Sequence, residues 1–140
     1  MNKSKQIELD EKQADEQIFT VKEKTIIPDG KHNGIISDLQ LKKYENYAYV
    51  DMIVKITDMT EEPTIRYGFN ANLSDYSQLG IFLKKSGFEF EIGDEITFGK
   101  IKDHLIDRKI RFKTVSIEKN ISGQKLEFSE IVLSSIDFIK

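Results

Sequence analysis

Tyrosine and basic side chains alternate with apolar residues in several short runs of this sequence. Two tyrosines precede a lysine in one run, and three cations alternate in another. Bases stack on aromatic faces, at about 1–3 kcal/mol per base, while cations contact phosphates, so such a surface favours single-stranded nucleic acid with little sequence preference. The candidate contact residues are Tyr47, Tyr49, Lys55, Arg66, Lys109, Arg111 and Lys113.

The same residues also suit an ordinary sheet surface. Tyrosine is favoured in strands whatever their function, and cross-strand tyrosine–lysine pairs stabilise sheets. Lysines on an outer strand also protect the sheet edge from pairing with another chain. The pattern alone therefore leaves both interpretations open.

The charge is unevenly distributed along the chain. The net charge is −3, whereas nucleic-acid-binding domains are often basic. Residues 100–125 hold eight Lys or Arg and three acidic residues, which is a local net charge of +5. The acidic residues concentrate at positions 61–62 and 89–95. The total charge therefore does not exclude a basic face.

The sequence argues against catalysis. Cysteine is absent, which excludes disulfides and thiolate metal sites and suits a reducing cytosol. His32 and His104 have no acidic or histidine neighbour at metal-ligand spacing, and no nucleotide-binding or nucleophile motif is present. We expect a protein that is not an enzyme and binds neither metal nor cofactor.

Period-two alternation predicts five strands, at about 31–44, 47–56, 64–71, 108–118 and 125–136. The second is the clearest, with Val50, Met52 and Val54 on one face and Tyr49 on the other. In the first strand we expect Ile35 to share a face with the following leucines, and Gly34 to mark a bend. In the fourth, the inward face changes near Thr114, which predicts a bulge there.

One short helix is expected between the third and fourth strands. Leu79, Phe82 and Leu83 have helical spacing, Ser74 or Ser77 can cap the start, and Gly87 can end it. Residues 95–107 are ambiguous. Three strands, one helix and two strands is the order of a five-stranded OB-fold (oligonucleotide/oligosaccharide-binding) barrel. A split β-sandwich is the alternative.

Residues 1–24 form a charged N-terminal tail or arm, and residues 25–140 form the OB-fold domain. The first segment has too few apolar residues to order alone. It is either a disordered tail or frayed helix, or an arm that promotes self-association through Ile18, Phe19 and Val21. No run approaches the ~20 apolar residues of a membrane helix, and no signal peptide is apparent, so we expect a cytoplasmic protein without membrane contact.

Residues 26–136 resemble small OB-fold single-stranded DNA-binding proteins of phages and conjugative plasmids of Gram-positive bacteria. The resemblance lies in a pattern without an invariant motif. Its parts are Ile27-Pro28-Asp29-Gly30-Lys31 leading to Gly34, Tyr47-Ala48-Tyr49-Val50-Asp51, Leu79-Gly80 with Leu83, Gly93-Asp94, and Lys109 through Val115 with the Gly123 hairpin.

The resemblance implies that the chain coats single-stranded DNA during replication, recombination or transfer. Tyr47, Tyr49, Lys55, Arg66, Arg111 and Lys113 would then make the contacts. Bacterial housekeeping proteins of this function carry a long acidic C-terminal tail, whereas this sequence ends Ile136-Asp137-Phe138-Ile139-Lys140. Its charged extension is N-terminal, which suggests a different way of assembling on DNA. The alternative is a protein-interaction or structural module within a phage or plasmid assembly.

Overall fold

Alternating apolar residues build five strands, and two short helices follow the third. The computed structural model describes residues 15–19 and 26–139. The elements of this part of the chain are β1 (Gly30–Lys43), β2 (Ala48–Ile56), β3 (Thr64–Asn70), α1 (Gln78–Lys85), α2 (Phe98–Leu105), β4 (Lys109–Ile121) and β5 (Gln124–Phe138). The prediction of a mostly β fold is confirmed.

All five strands lie in one antiparallel sheet with the order β3-β2-β1-β4-β5. β1 is central because it pairs with β4 along its first residues and with β2 from Gly34 onward. β3 and β5 approach each other, but within the described residues no hydrogen-bonded ladder joins them, so the sheet is not closed into a barrel. The alternative of two separate sheets is wrong for these residues.

β1 packs closely against its neighbours at Gly34, where it passes from one partner strand to the other. A Cβ on Gly34 would lie 2.8 Å from Val54 Cγ1 and 2.9 Å from Phe112 Cε1, so only glycine allows this approach. A register shift follows between Ile36 and Asp38. The prediction for this strand was wrong in one respect: Ile36, and not Ile35, shares the buried face with Leu39. The bulge adds one residue between them, so the inward-facing positions change from even-numbered to odd-numbered residues.

The core lies on the inner face of the sheet and continues onto the two helices. Its fully buried side chains come from every strand and from both helices. The largest are Ile36, Leu39, Met52, Val54, Ile56, Phe69, Leu83, Leu105, Ile110, Phe112 and Ile136.

The helix predicted after β3 is present as α1. Ser77 is its N-cap and accepts a hydrogen bond from the Gly80 amide at 3.0 Å, and Gly87 follows the last turn with φ +91°. Gly80 is required by packing, since a Cβ there would overlap the carbonyl oxygen of Ser74. Local capping and one apolar stripe therefore specify this helix.

The second helix, α2, is additional to the single helix that the sequence predicted. Thr97 caps it through a bond from the Lys100 amide at 3.2 Å, and Ile101 and Leu105 are its buried residues. Two buried positions are too few for a clear helical period. Neither helix in the described part of the chain is long and apolar enough to cross a membrane.

β4 and β5 continue past the sheet as a two-stranded hairpin, residues 115–130. The turn is Ser122-Gly123, both with positive φ, as two-residue hairpins prefer. The predicted change of face at Thr114 was wrong. Thr114 is buried and donates a hydrogen bond to the Pro28 carbonyl at 2.9 Å, while Val115 is exposed, so the alternation continues unbroken. The bulge lies between Arg111 and Lys113 instead.

Candidate nucleic-acid interface

Three tyrosines stack at the hairpin that joins β1 and β2. The rings of Tyr44 and Tyr47 have centroids 4.8 Å apart at 24°, and those of Tyr44 and Tyr49 are 5.9 Å apart at 12°. A backbone bond from the Tyr44 amide to the Tyr47 carbonyl, at 2.8 Å, closes the loop and brings the rings together. We call Tyr44, Tyr47 and Tyr49 the tyrosine cluster. Two of its members are sequence candidates, whereas Tyr44 was missed because its position depends on the loop.

Tyr49 lies on the outer face of the sheet, over a glycine. Its ring atom Cδ2 would be 3.5 Å from a Cβ on Gly68, and its direct neighbours across the ladders are Lys42 and Asn70. Two main effects raise the pKa of the Tyr49 phenol above its usual value. The larger is a hydrogen bond with Tyr44, and the smaller is burial of the side chain. The ring is therefore neutral at physiological pH and presents a flat surface beside a lysine.

The centre of the outer face is occupied by ion pairs. Asp51 is buried there, and its Oδ2 accepts a hydrogen bond from Arg66 Nη1 at 2.7 Å. Asp38 on β1 has its Oδ1 3.4 Å from Nζ of Lys102, a residue of α2. Hydrogen bonding from Gln40, above all, lowers the pKa of the Asp38 carboxyl. Arg66 is thus on the predicted face but already bound to a carboxylate.

The remaining predicted cations form a group at the far end of the face. Lys55 and Lys109 flank Ile35 in one row across three strands, about 10 Å apart at the usual strand spacing. Lys113 pairs with Lys31, which the sequence analysis did not select, and all these cations are exposed. Lys55 Nζ also lies 3.4 Å from Glu62 Oε2. We call this set the basic row: Lys31, Lys55, Lys109, Arg111 and Lys113.

The predicted site is therefore divided. Tyr49 and Lys55 are six residues apart on β2, which corresponds to roughly 20 Å at about 3.3 Å per residue. The structure brings the predicted tyrosines together at one end and most predicted cations at the other, with the Asp51–Arg66 pair between them. A ligand that contacts both groups must be extended and must run along β2 over the centre of the outer face.

The β4–β5 hairpin adds an apolar and basic surface beyond the basic row. Ile117 faces Phe128 across the ladder, and Lys119 Nζ lies 5.6 Å from the Phe128 ring centroid. Val115 and Leu126 on the same hairpin face are exposed. Sequence reasoning missed this surface because it placed Val115 and Ile117 in the core.

Of the residues predicted to mediate self-association, Ile18 is 82% exposed and Phe19 is 86% exposed. Val21 lies outside the described residues. Two large apolar side chains near the start of the domain thus have almost no contact with their own chain. This exposure does not test their predicted role in association, which stays a prediction.

Both histidines have structural partners. His32 is buried, with Nδ1 3.2 Å from Asp58 Oδ1 and Nε2 2.7 Å from the Pro28 carbonyl oxygen, so it ties the segment before β1 to the β2–β3 loop. His104 Nε2 lies 2.9 Å from Ser86 Oγ. Across residues 15–19 and 26–139, no three His, Asp or Glu side chains are grouped so that they could hold a metal ion.

No known protein family matches this sequence, and no curated protein matches it significantly.

Proposed function

We propose that this protein binds single-stranded DNA without catalysis and with little sequence preference. Bases stack on the tyrosine cluster, and the basic row contacts phosphates. The resemblance to small phage and plasmid single-stranded DNA-binding proteins suggests that this occurs in the cytoplasm, during replication, recombination or transfer of phage or plasmid DNA.

The observation that carries the proposal is the tyrosine cluster itself. Three aromatic rings stack on one another at an exposed hairpin, and one of them rests over Gly68 with Lys42 beside it. A single-stranded binder combines aromatic platforms with a cationic path for the backbone. The basic row supplies such a path on the same face of the sheet.

We further propose that the sheet is a partly open OB-fold. In OB-folds the ligand lies on the face of strands 2 and 3, between the β1–β2 and β4–β5 loops. The order β3-β2-β1-β4-β5, with helices between β3 and β4, is compatible with that topology. The two hairpins that would flank the ligand carry the tyrosine cluster and the Lys119–Phe128 pair.

Fluorescence anisotropy with a labelled oligo-dT of about 20 nucleotides tests the proposal, since one OB-fold covers roughly 4–16 nucleotides. We expect binding whose log affinity falls with log salt, with a slope no steeper than about −3.5 if all five cations of the basic row contact phosphates. Tyr49→Ala should weaken binding about 5- to 150-fold, which corresponds to the loss of about 1–3 kcal/mol of stacking.

Tyr76→Ala is the matched control, because Tyr76 is 92% exposed on the loop before α1, outside the tyrosine cluster. It should bind oligo-dT as the unchanged protein does. Thermal unfolding of both variants separates a loss of contacts from a loss of folding. Absence of oligonucleotide binding at low salt would refute the proposed function.

A protein-interaction module is the second candidate function. Tyr76 and Ile92, 98% exposed, line a cleft of about 500 Å³ together with the acidic residues Asp75, Glu91 and Asp94. Exposed apolar side chains with a polar rim are typical of protein contacts. A nucleic-acid-free stable complex with a host protein, lost on Ile92→Ser, would favour this function.

A further inference from the structure

A groove lies where the sheet remains open, between the edge of β3 and the β4–β5 hairpin. Its volume is about 620 Å³, within the range of about 300–1,000 Å³ that binding pockets occupy. Its apolar lining residues are Ile26, Ile27, Ile65, Ile117 and Phe128. Its charged lining residues are Arg66, Lys119, Glu127 and Glu130. The lining of the groove thus combines apolar and charged side chains.

The backbone of β3 is arranged to pair with a further strand at this groove. Bonds from Ile56 N to the Pro63 oxygen and from Ala71 N to the Ala48 oxygen mark the two ends of the β2–β3 ladder. Because hydrogen-bonded pairs alternate along an antiparallel ladder, Thr64 and Arg66 direct their amide and carbonyl groups away from β2. These two residues line the groove, so an extended segment lying there would meet strand-edge donors and acceptors.

The segment that fits this groove is the one that precedes the domain. Residues 17–21 read Gln-Ile-Phe-Thr-Val, a run of β-branched and aromatic residues suited to an added strand. Ile18 and Phe19 are almost fully exposed on their own chain. Since Ile26 itself lines the groove, the N-terminal segment enters the domain at the groove's border.

This position of the N-terminal segment favours exchange between two copies. Six residues, 20–25, separate Phe19 from Ile26 and can span about 20 Å when extended. Two copies that face each other groove to groove would each place their segment next to the partner's groove. Such an exchange is reciprocal and closes with twofold symmetry, the commonest symmetry of oligomers.

We propose that the groove between β3 and the β4–β5 hairpin binds residues 18–21 of a second copy as an added strand, which makes a segment-exchanged dimer. The proposal is independent of DNA binding.

Light scattering on the full chain over a range of concentrations gives the first test. The unchanged protein should have the mass of a dimer at high concentration, and the double variant Ile18→Ser, Phe19→Ser should remain a monomer. Both side chains are exposed, so their replacement leaves the domain folded. The matched control is the double variant Tyr76→Ser, Ile92→Ser, which removes two equally exposed apolar side chains elsewhere and should still dimerise.

Cysteine trapping then locates the acceptor, because the chain has no cysteine of its own. Phe19→Cys mixed with Thr64→Cys should give an intermolecular disulfide under mild oxidation, whereas Phe19→Cys mixed with Glu95→Cys should not. A monomer at every concentration would overturn the proposal. So would a disulfide that forms only within one chain carrying both Phe19→Cys and Thr64→Cys, since the segment would then occupy its own groove.

Discussion

Replacing Asp51 with asparagine should make the protein bind single-stranded DNA more tightly. Asp51 is buried at the centre of the outer face, where its carboxylate holds Arg66 Nη1 at 2.7 Å. Asparagine keeps the shape and one acceptor oxygen but removes the charge that retains the guanidinium. Arg66 is exposed and then becomes available to a phosphate that passes between the tyrosine cluster and the basic row.

The size of the effect follows from one additional phosphate contact. Each contact on a single strand adds about −0.7 to the slope of log affinity against log salt. If phosphate contacts add no affinity at about 1 M salt, this extra slope makes the variant bind roughly 5-fold more tightly than the unchanged protein at about 0.1 M salt. The cost in folding stability should be about 1 kcal/mol or less, because Arg66 is well solvated without its partner.

Anisotropy titrations at several salt concentrations measure both the affinity and the slope. Asp103→Asn is the control, since Asp103 is an exposed residue of α2 and its replacement changes the net charge equally. We expect a steeper slope for Asp51→Asn alone. Equal slopes for the two variants, with unchanged melting temperatures, would show that Arg66 does not contact the DNA backbone and that the strand does not cross the centre of the face.

Four further predictions concern Gly34, the basic row and the tyrosine cluster. Gly34→Ala should destabilise the fold by about 1–3 kcal/mol in urea unfolding, because its Cβ would press on Val54 and Phe112, whereas Gly99→Ala, with nothing closer than 3.9 Å, should not. Arg111→Ala should reduce the salt slope by about 0.7 and weaken binding equally for all sequences, and an unchanged slope would remove Arg111 from the interface. Tyr44→Phe should lower the pKa of Tyr49, seen as earlier phenolate absorbance in an alkaline titration, since the Tyr44 hydrogen bond is the main cause of its upward shift. Because that pKa is raised in the folded state, the unchanged protein should lose stability as the pH rises above about 10, and a pH-independent melting temperature there would contradict this assignment.

The sequence predicted the elements whose signals are local. β2 has ten residues of clean alternation around it, and α1 has a serine cap, an apolar stripe and a closing glycine, so both were found close to their observed bounds. α2 has only Ile101 and Leu105 as buried residues and gave no period. Thr114 misled the assignment of β4, since a buried hydroxyl with a backbone partner looks like a surface residue in the sequence.

The candidate site was predictable by face but not by arrangement. Parity along β2 and β4 correctly placed Tyr49, Lys55 and Arg111 on the outward side. Which residues meet across strands depends on register, and register depends on the bulge after Ile36 and on the close packing at Gly34. No local pattern could therefore show that Arg66 binds Asp51, or that Tyr44 completes an aromatic stack.

The net charge of −3 is compatible with the proposed binding of DNA. The acids at the centre of the outer face, Asp51 and Asp38, each have a cationic neighbour, and the acidic run at 89–95 lies on the loop between the two helices. The basic row keeps a net positive charge, although Lys55 lies beside Glu62 and Arg111 lies opposite Asp137 on β5. Phosphate contacts weaken as salt rises, whereas stacking does not depend on counterion release. The affinity should accordingly fall only slowly with salt, and part of it should remain in high salt. That remaining affinity should disappear when the three tyrosines of the cluster are replaced by alanine.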